Sequence, residues 1–225
     1  MSQDLAPGDS ARGFLLVADD HGRLALKAAH RPDVGTVCAD WQGAEQQRRI
    51  AAGKRQLLAR ACGIGRPAPW RVLDATAGLG RDGLTLAALG ATVTLVERQP
   101  MIAALLLDAH QQLQQVNPTL AARIQVLQGD ARPLLDRPGP AWDVIYLDPM
   151  YPHRNKAALP GKEMQFFREL TDGDPDADAL LVPAIHKAGW RVVVKRPLAA
   201  PPLGGRAADQ SLRGTQARFD LYWSR

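Results

Sequence analysis

The sequence predicts an α/β fold, a doubly wound and mainly parallel sheet preceded by a small N-terminal β-plus-helix accessory segment. Three observations predict it. From residue 70 onward, short β-branched and leucine-rich runs alternate with longer helical stretches, the pattern of repeated βαβ units. The first of these runs ends in an acid and a glycine-rich turn, Asp74-Ala-Thr-Ala-Gly78-Leu-Gly80-Arg-Asp-Gly83. A later one ends in Asp148-Pro149-Met150-Tyr151-Pro152. Open α/β sheets bind ligands at such strand ends, near the point where the strand order reverses.

Taken in order, residues 1–12 read as a polar tail. Apolar runs at 13–17, 24–26 and 36–38, separated by turn residues such as Asp20-His21-Gly22, predict a small β meander. Helical spacing of Ile50, Leu57, Leu58 and Ala61 predicts one helix over 43–62 with Gly63 as its stop. Residues 1–69 thus form an accessory segment, and Pro67-Ala-Pro69 marks the junction with a main domain over 70–225. In that domain the runs at 71–74, 92–97, 124–127, 144–147 and 191–195 are strands. Helices fall at 81–89, 101–116, 163–170 and 177–187, and 211–223 closes the sheet as a hairpin.

The 225 residues carry a net charge of +5 and a pI of about 9.6, a balance that suits a polyanionic partner. Distribution says more than the total. Arg48, Arg49, Lys54, Arg55, Arg60, Arg66 and Arg71 follow one another with no acid between them, although such a run also suits a solvated helix face. No apolar run approaches the roughly 20 residues of a membrane span. The N-terminus lacks the basic-then-apolar order of a secretory leader. Cys38 and Cys62 have no metal-ligand spacing and suit the reduced thiols of a cytoplasmic protein. With the histidines scattered, no metal site is expected.

Gly78-x-Gly80-x-x-Gly83 matches the dinucleotide fingerprint, which leaves an NAD-dependent oxidoreductase open. Asp74, four residues before the first glycine, instead gives the form typical of S-adenosylmethionine sites. Arg81 opens the following helix, where a cation opposes the macrodipole by about 0.3–1 kcal/mol. A cofactor carboxylate would reverse that cost, and Asp82 could hold the amino group of the same methionyl moiety; a plain surface Arg–Asp pair is the alternative. Glu97 ends the second predicted strand and suits ribose hydroxyls, with Arg98 flanking the adenine. Asp130-Ala131 follows the third strand, an acid for the adenine amino group beside a small residue that leaves room.

These residues resemble class I methyltransferases and, more narrowly, the RsmJ family, which methylates N2 of a guanosine in bacterial 16S ribosomal RNA. The resemblance spans about residues 35–225. It rests on the glycine-rich turn, Leu95-Val-Glu-Arg98, Tyr146-Leu-Asp-Pro-Met-Tyr-Pro-His153, Lys162-Glu-Met164, Arg191-Val-Val-Val-Lys-Arg-Pro197, Pro201-Pro202-Leu203 and Arg218-Phe219-Asp220. It implies a seven-stranded Rossmann-like methyltransferase sheet and S-adenosylmethionine contacts at Arg81-Asp82, Glu97-Arg98, Asp130-Ala131 and Asp148. It further implies 16S ribosomal RNA or the 30S subunit as partner, in the cytoplasm, with no obligate protein partner. The chain departs from the family in a shorter N-terminal segment and in Ala51-Ala-Gly-Lys-Arg55, where the family is richer in glycine. Asp130-Ala131 stands where the family has small hydroxyl residues.

On this reading Asp148 accepts an N–H of the target amine, helped by the Pro149 carbonyl, and Tyr151 stacks on the base. Arg48, Arg49, Lys54, Arg55, Arg154, Lys156, Lys195 and Arg196 are expected at RNA phosphates, fixing register rather than sequence. Asp148 is asked to serve cofactor, base or both. An amino methyltransferase of adenine N6 in RNA or DNA, or of a protein glutamine, stays open, as does a non-catalytic RNA-binding module.

Overall fold

The computed structural model describes residues 13–65, 70–139, 142–150, 167, 169–171 and 176–224. Tyr151, Arg154, Lys156, the 66–69 junction and most of the predicted 163–170 helix lie outside the described residues. The accessory segment opens with an antiparallel hairpin, β1 (Phe14–Ala18) and β2 (Leu24–Ala28). The expected third strand is reduced to one bridge between Leu26 and Val37. The expected 43–62 helix is broken into α1 (Ala44–Ala51), a 3-10 turn (Gly53–Arg55) and α2 (Leu57–Ala61). The break has a local cause. Gly53 takes φ +67°, and the Gln56 amide donates to the carbonyls of Arg49 (3.0 Å) and Gly53 (2.9 Å), satisfying helix-end acceptors.

The main sheet has β3 (Arg71–Asp74), β4 (Thr92–Glu97), β5 (Ile124–Gln128), β6 (Trp142–Leu147), β7 (Ala188–Pro197), β8 (Gln210–Arg213) and β9 (Ala217–Trp223). They run in the order β5-β4-β3-β6-β7-β9-β8. The first five are parallel to one another, and β9 is antiparallel to both β7 and β8. The strand order reverses between β3 and β6, which sets the ligand crevice at their carboxyl ends. Helices α3 (Arg81–Ala88), α4 (Pro100–Val116), α5 (Pro118–Ala121), α6 (Arg132–Leu135) and α7 (Leu181–Lys187) complete the main unit. Short α5 and α6 carry no readable apolar period, whereas α4 is announced by Pro100 at its start and by the Gln99 side chain accepting from Met101 N at 2.6 Å.

Both sheet faces are buried, so the central strands read as continuous apolar runs. Alternation divides them between two cores. Val72, Val144, Tyr146 and Val193 join α3, α4 and the accessory segment, while Leu73, Ile145, Leu147 and Val194 join α6 and α7. Phe14, Leu26, Trp41 and Leu58 of the accessory segment share the first core. Trp41 Nε1 donates to the Leu79 carbonyl at 2.8 Å and Leu24 N to Asp108 Oδ2 at 3.0 Å, tying that segment to α3's entry loop and to α4. Among the described residues no helix is long and apolar enough to cross a membrane.

Candidate active site

A cleft of ≈ 250 Å³ opens at the carboxyl ends of the parallel strands, close to the lower end of small-molecule sites at roughly 300–1,000 Å³. One side sets a fixed acid beside an apolar patch. Glu97, at the end of β4, is buried, and each carboxylate oxygen takes one backbone donor: Gly78 N to Oε2 at 2.9 Å and Gln99 N to Oε1 at 2.8 Å. The carboxylate is therefore fixed in the cleft wall. Ala131, Ile102 and Leu180 give an apolar patch beside it. Arg98 closes this end by donating to both oxygens of Asp176, at 2.7 and 2.9 Å.

The other side is a polar network centred on Asp82, in the first turn of α3. Its Oδ1 accepts from Arg49 Nη2, while Oδ2 accepts from the Tyr146 hydroxyl at 2.6 Å and Lys195 Nζ at 3.1 Å. Lys195 also donates to Asp148 Oδ2 at 2.7 Å. Strand register explains the meeting. Asp74 pairs with Tyr146 across β3 and β6, and Tyr146 with Val193 across β6 and β7, so Asp148 and Lys195, each two residues on, share the face of Tyr146. Asp148 N donates to Thr76 Oγ1 at 2.6 Å, binding the loop after β6 to the loop after β3.

The charges divide the acids. Burial pushes the Asp74 carboxyl well above the usual carboxylate range, and the nearby Asp82 charge adds to that. Burial acts the same way on Asp82, but Lys195 and Arg49 outweigh it and leave the group below its ordinary value. Asp148 ends above its ordinary value, because burial and Asp82 together exceed the opposing pull of Lys195. Burial disfavours the Lys195 ammonium, yet Asp148 and Asp82 hold it protonated. The Tyr146 phenol is raised by burial and by the neighbouring carboxylates, so it stays a hydrogen-bond donor.

Residues 3–224 match the family described as "Putative SAM-dependent methyltransferase". A protein of Pseudomonas paraeruginosa named ribosomal RNA small subunit methyltransferase J is 47% identical, covering 93% of this chain and 86% of that protein. A protein of Shewanella amazonensis with the same name is 42% identical, covering 97% and 90%. The chain belongs to the ribosomal RNA small subunit methyltransferase J family. The crystal structure of a SAM-dependent methyltransferase from Neisseria gonorrhoeae, 31% identical, superposes with a TM-score of 0.70 over 99% of this chain and 86% of that one. Membership makes S-adenosylmethionine the cofactor and sets aside the oxidoreductase that the glycine spacing left open.

The residues lining the cleft are compatible with that cofactor: the fixed acid at Glu97 could take hydroxyl donors, the apolar wall a base, and the Arg81-Asp82 end a zwitterion. Asp74, Gly78, Arg81, Asp82, Glu97, Arg98, Asp130, Ala131 and Asp148 all line it. Gly80 does not; at φ +72° it starts α3, packed so closely that a Cβ would stand 2.7 Å from Leu106 and 2.8 Å from Trp41. The basic residues expected at phosphates divide into two groups. Arg48, Lys54 and Arg55 are exposed. Arg49 and Lys195 instead reach into the cleft and meet acids there. Arg196 corrects the expectation most clearly. It is 4% exposed and donates to the Pro201 carbonyl, because strand alternation turns it away from Lys195 and under the 197–203 loop. Arg218 and Asp220 form a buried ion pair, with Arg218 also donating to the carbonyls of Pro197 and Leu198, so that motif braces the same loop.

Thr76, Tyr146 and Asp176 also line the cleft but were not singled out as site residues from the sequence. A signal existed for Tyr146 alone: two residues before Asp148 on a strand, it had to share that acid's face. Asp176 meets Arg98 from 78 residues away, which no local pattern reveals.

Proposed function

We propose that this chain transfers a methyl group from S-adenosylmethionine to the exocyclic N2 of a guanosine in 16S ribosomal RNA, acting in the cytoplasm on that RNA or on the 30S subunit. The observation that carries the reading is the reach of the similarity: relatives named ribosomal RNA small subunit methyltransferase J match 93–97% of the chain, cation-bearing accessory segment included. When bound, the cofactor supplies a methyl group already activated on a sulfonium centre. What remains for the protein is placement of the amine, in line and at about 3–3.5 Å.

Asp148 is the residue for that task. Its carboxylate accepts an N–H of the amine, whose lone pair is otherwise delocalised into the ring, and the Pro149 carbonyl offers a second acceptor. Asp148 is 36% exposed at the side chain, open enough for a base to approach. On transfer the amine nitrogen would shed one proton, for which the Asp148 carboxylate would be the acceptor. Tyr151 supplies a stacking face, a contact worth about 1–3 kcal/mol in nucleic-acid sites. Arg48, Lys54 and Arg55, on the 1–69 segment, and Arg154 and Lys156 hold phosphates away from the reacting base. Guanine N2 faces the minor groove, so the target is an unpaired or extruded base.

Deleting the gene tests this in cells. N2-methylguanosine at one position of 16S ribosomal RNA disappears on deletion and returns with the wild-type copy but not with Asp148→Ala. Unchanged 16S modification after deletion overturns the proposal.

A further inference from the structure

Lys195 is set apart from the exposed cations by what holds it. Its ammonium lies 2.7 Å from Asp148 Oδ2 and 3.1 Å from Asp82 Oδ2, inside the cleft. A phosphate ligand keeps its charge toward solvent, whereas this charge is already shared by two carboxylates. Asp82 is itself held by Arg49 and by the Tyr146 hydroxyl. The charges therefore alternate along a chain, Arg49, Asp82, Lys195, Asp148, that runs from the accessory segment to the loop after β6. Removing its third member takes away the cation that the Asp82 and Asp148 carboxylates share, and neighbouring like charges cannot both stay ionised easily.

We propose that Lys195 is a positioning residue for the reaction at Asp148, holding that carboxylate ionised and turned into the cleft to receive the target amine. This rests on the methyl-transfer reading above. A protonated Asp148 would present a hydroxyl donor to an N–H and could not take the proton that the nitrogen releases. Among the described residues, the charged and titratable groups acting with Asp148 are Lys195 from β7, Asp82 from α3, Arg49 from α1, Asp74 from β3 and Tyr146 from β6. Burial and Asp82 push the Asp148 carboxyl up, and Lys195 is the largest influence drawing it down.

The test compares wild type with Lys195→Met, Lys195→Gln and Lys195→Arg in the full chain, each checked for fold by circular dichroism and for cofactor affinity by calorimetry. The Asp148 carboxyl is titrated directly by carbon-detected NMR of aspartate-labelled protein, its signal assigned with Asp148→Asn. The expected result is a midpoint raised by about one pH unit or more in a folded neutral variant, restored by Lys195→Arg. The acid limb of kcat/KM moves by the same amount, while KM for ribosomal RNA and its salt dependence stay put. An unmoved Asp148 midpoint in both neutral variants overturns the proposal. So does a loss expressed only as weaker RNA binding with a shallower salt slope, the signature of a phosphate contact. The NMR arm needs no RNA, so it reads Lys195 even where wild type fails to methylate ribosomal RNA, a failure that counts against the substrate alone.

Discussion

The backbone N–H of Asp148 donates to the Thr76 hydroxyl at 2.6 Å, joining the loop after β6 to the loop after β3, both of which line the cleft. This hydrogen bond extends the pairing of β3 with β6 into the two loops. Thr76→Val keeps the shape and removes the acceptor, at about 1–3 kcal/mol for the unsatisfied N–H. Thermal melting falls by roughly 2–4 °C per kcal/mol in a chain of this size. The kcat falls about 10- to 100-fold, since small misplacements near a reacting pair are costly, with cofactor affinity changed little. Thr76→Ser keeps wild-type behaviour in both assays.

Gly80 and Gly78 separate packing from cofactor contact. Gly80→Ala combines φ +72° with approaches of 2.7 Å to Leu106 and 2.8 Å to Trp41, which costs about 2–4 kcal/mol from backbone strain and overpacking together. Gly78→Ala meets no neighbour within 4 Å and carries only the strain of φ +53°, about 1–2 kcal/mol. Urea unfolding is expected to rank Gly80→Ala as the less stable variant. Calorimetry is expected to show weakened S-adenosylmethionine binding for folded Gly78→Ala, because relief of the φ +53° strain would shift the backbone N–H that fixes Glu97.

Asp74 makes stability depend on pH in a definite direction. Its folded carboxyl lies well above the unfolded value because of burial first and Asp82 second. Protonation therefore favours the folded state, and the cost of the buried charge grows as pH rises above the unfolded carboxylate value, reaching its full size above the folded one. Asp74→Asn retains an acceptor for Thr76 N and loses the charge. Its melting temperature rises above wild type at pH 8 by more than it does at pH 5. An equal gap at both pH values contradicts the assignment.

The exposed and buried cations respond differently. Lys54→Glu with Arg55→Glu weakens RNA binding, lowers its salt slope and spares cofactor binding, because both residues are exposed. Arg196→Gln instead lowers the denaturation midpoint, because a 4%-exposed guanidinium loses its bonds to Pro201. Filter binding over a salt series and urea unfolding check the pair. Arg196→Gln that weakens RNA binding at unchanged stability would return that residue to the RNA surface.

The sheet was legible because both of its faces are buried, which writes each central strand as a largely apolar run that ends in an acid or is followed by one: Asp74, Glu97, Asp148. Those tips, with Arg81-Asp82 and Asp130-Ala131, are set by strand ends and helix starts, and they meet at one cleft. Side-chain direction was not legible. Arg48 and Arg49 look alike in a basic run, and only the docking of α1 on α3, where Gln46 donates to the Arg81 carbonyl and the Thr85 hydroxyl, turns Arg49 rather than Arg48 into the cleft. Lys195 and Arg196 likewise differ by strand alternation, and the partners that define them, Asp82 and Pro201, lie on other elements. The Arg218-Phe219-Asp220 motif was conspicuous in the sequence and proves to be a brace under the 197–203 loop.

The most direct test of the central claim is transfer of labelled methyl from S-adenosylmethionine to 30S particles of a strain lacking the enzyme, followed by nuclease digestion and separation of the nucleosides. Wild-type protein is predicted to place the label in N2-methylguanosine of 16S ribosomal RNA. Asp148→Ala, folded and still binding cofactor, is predicted to place none. Label in adenosine or in ribosomal protein, or full transfer by Asp148→Ala, contradicts the account.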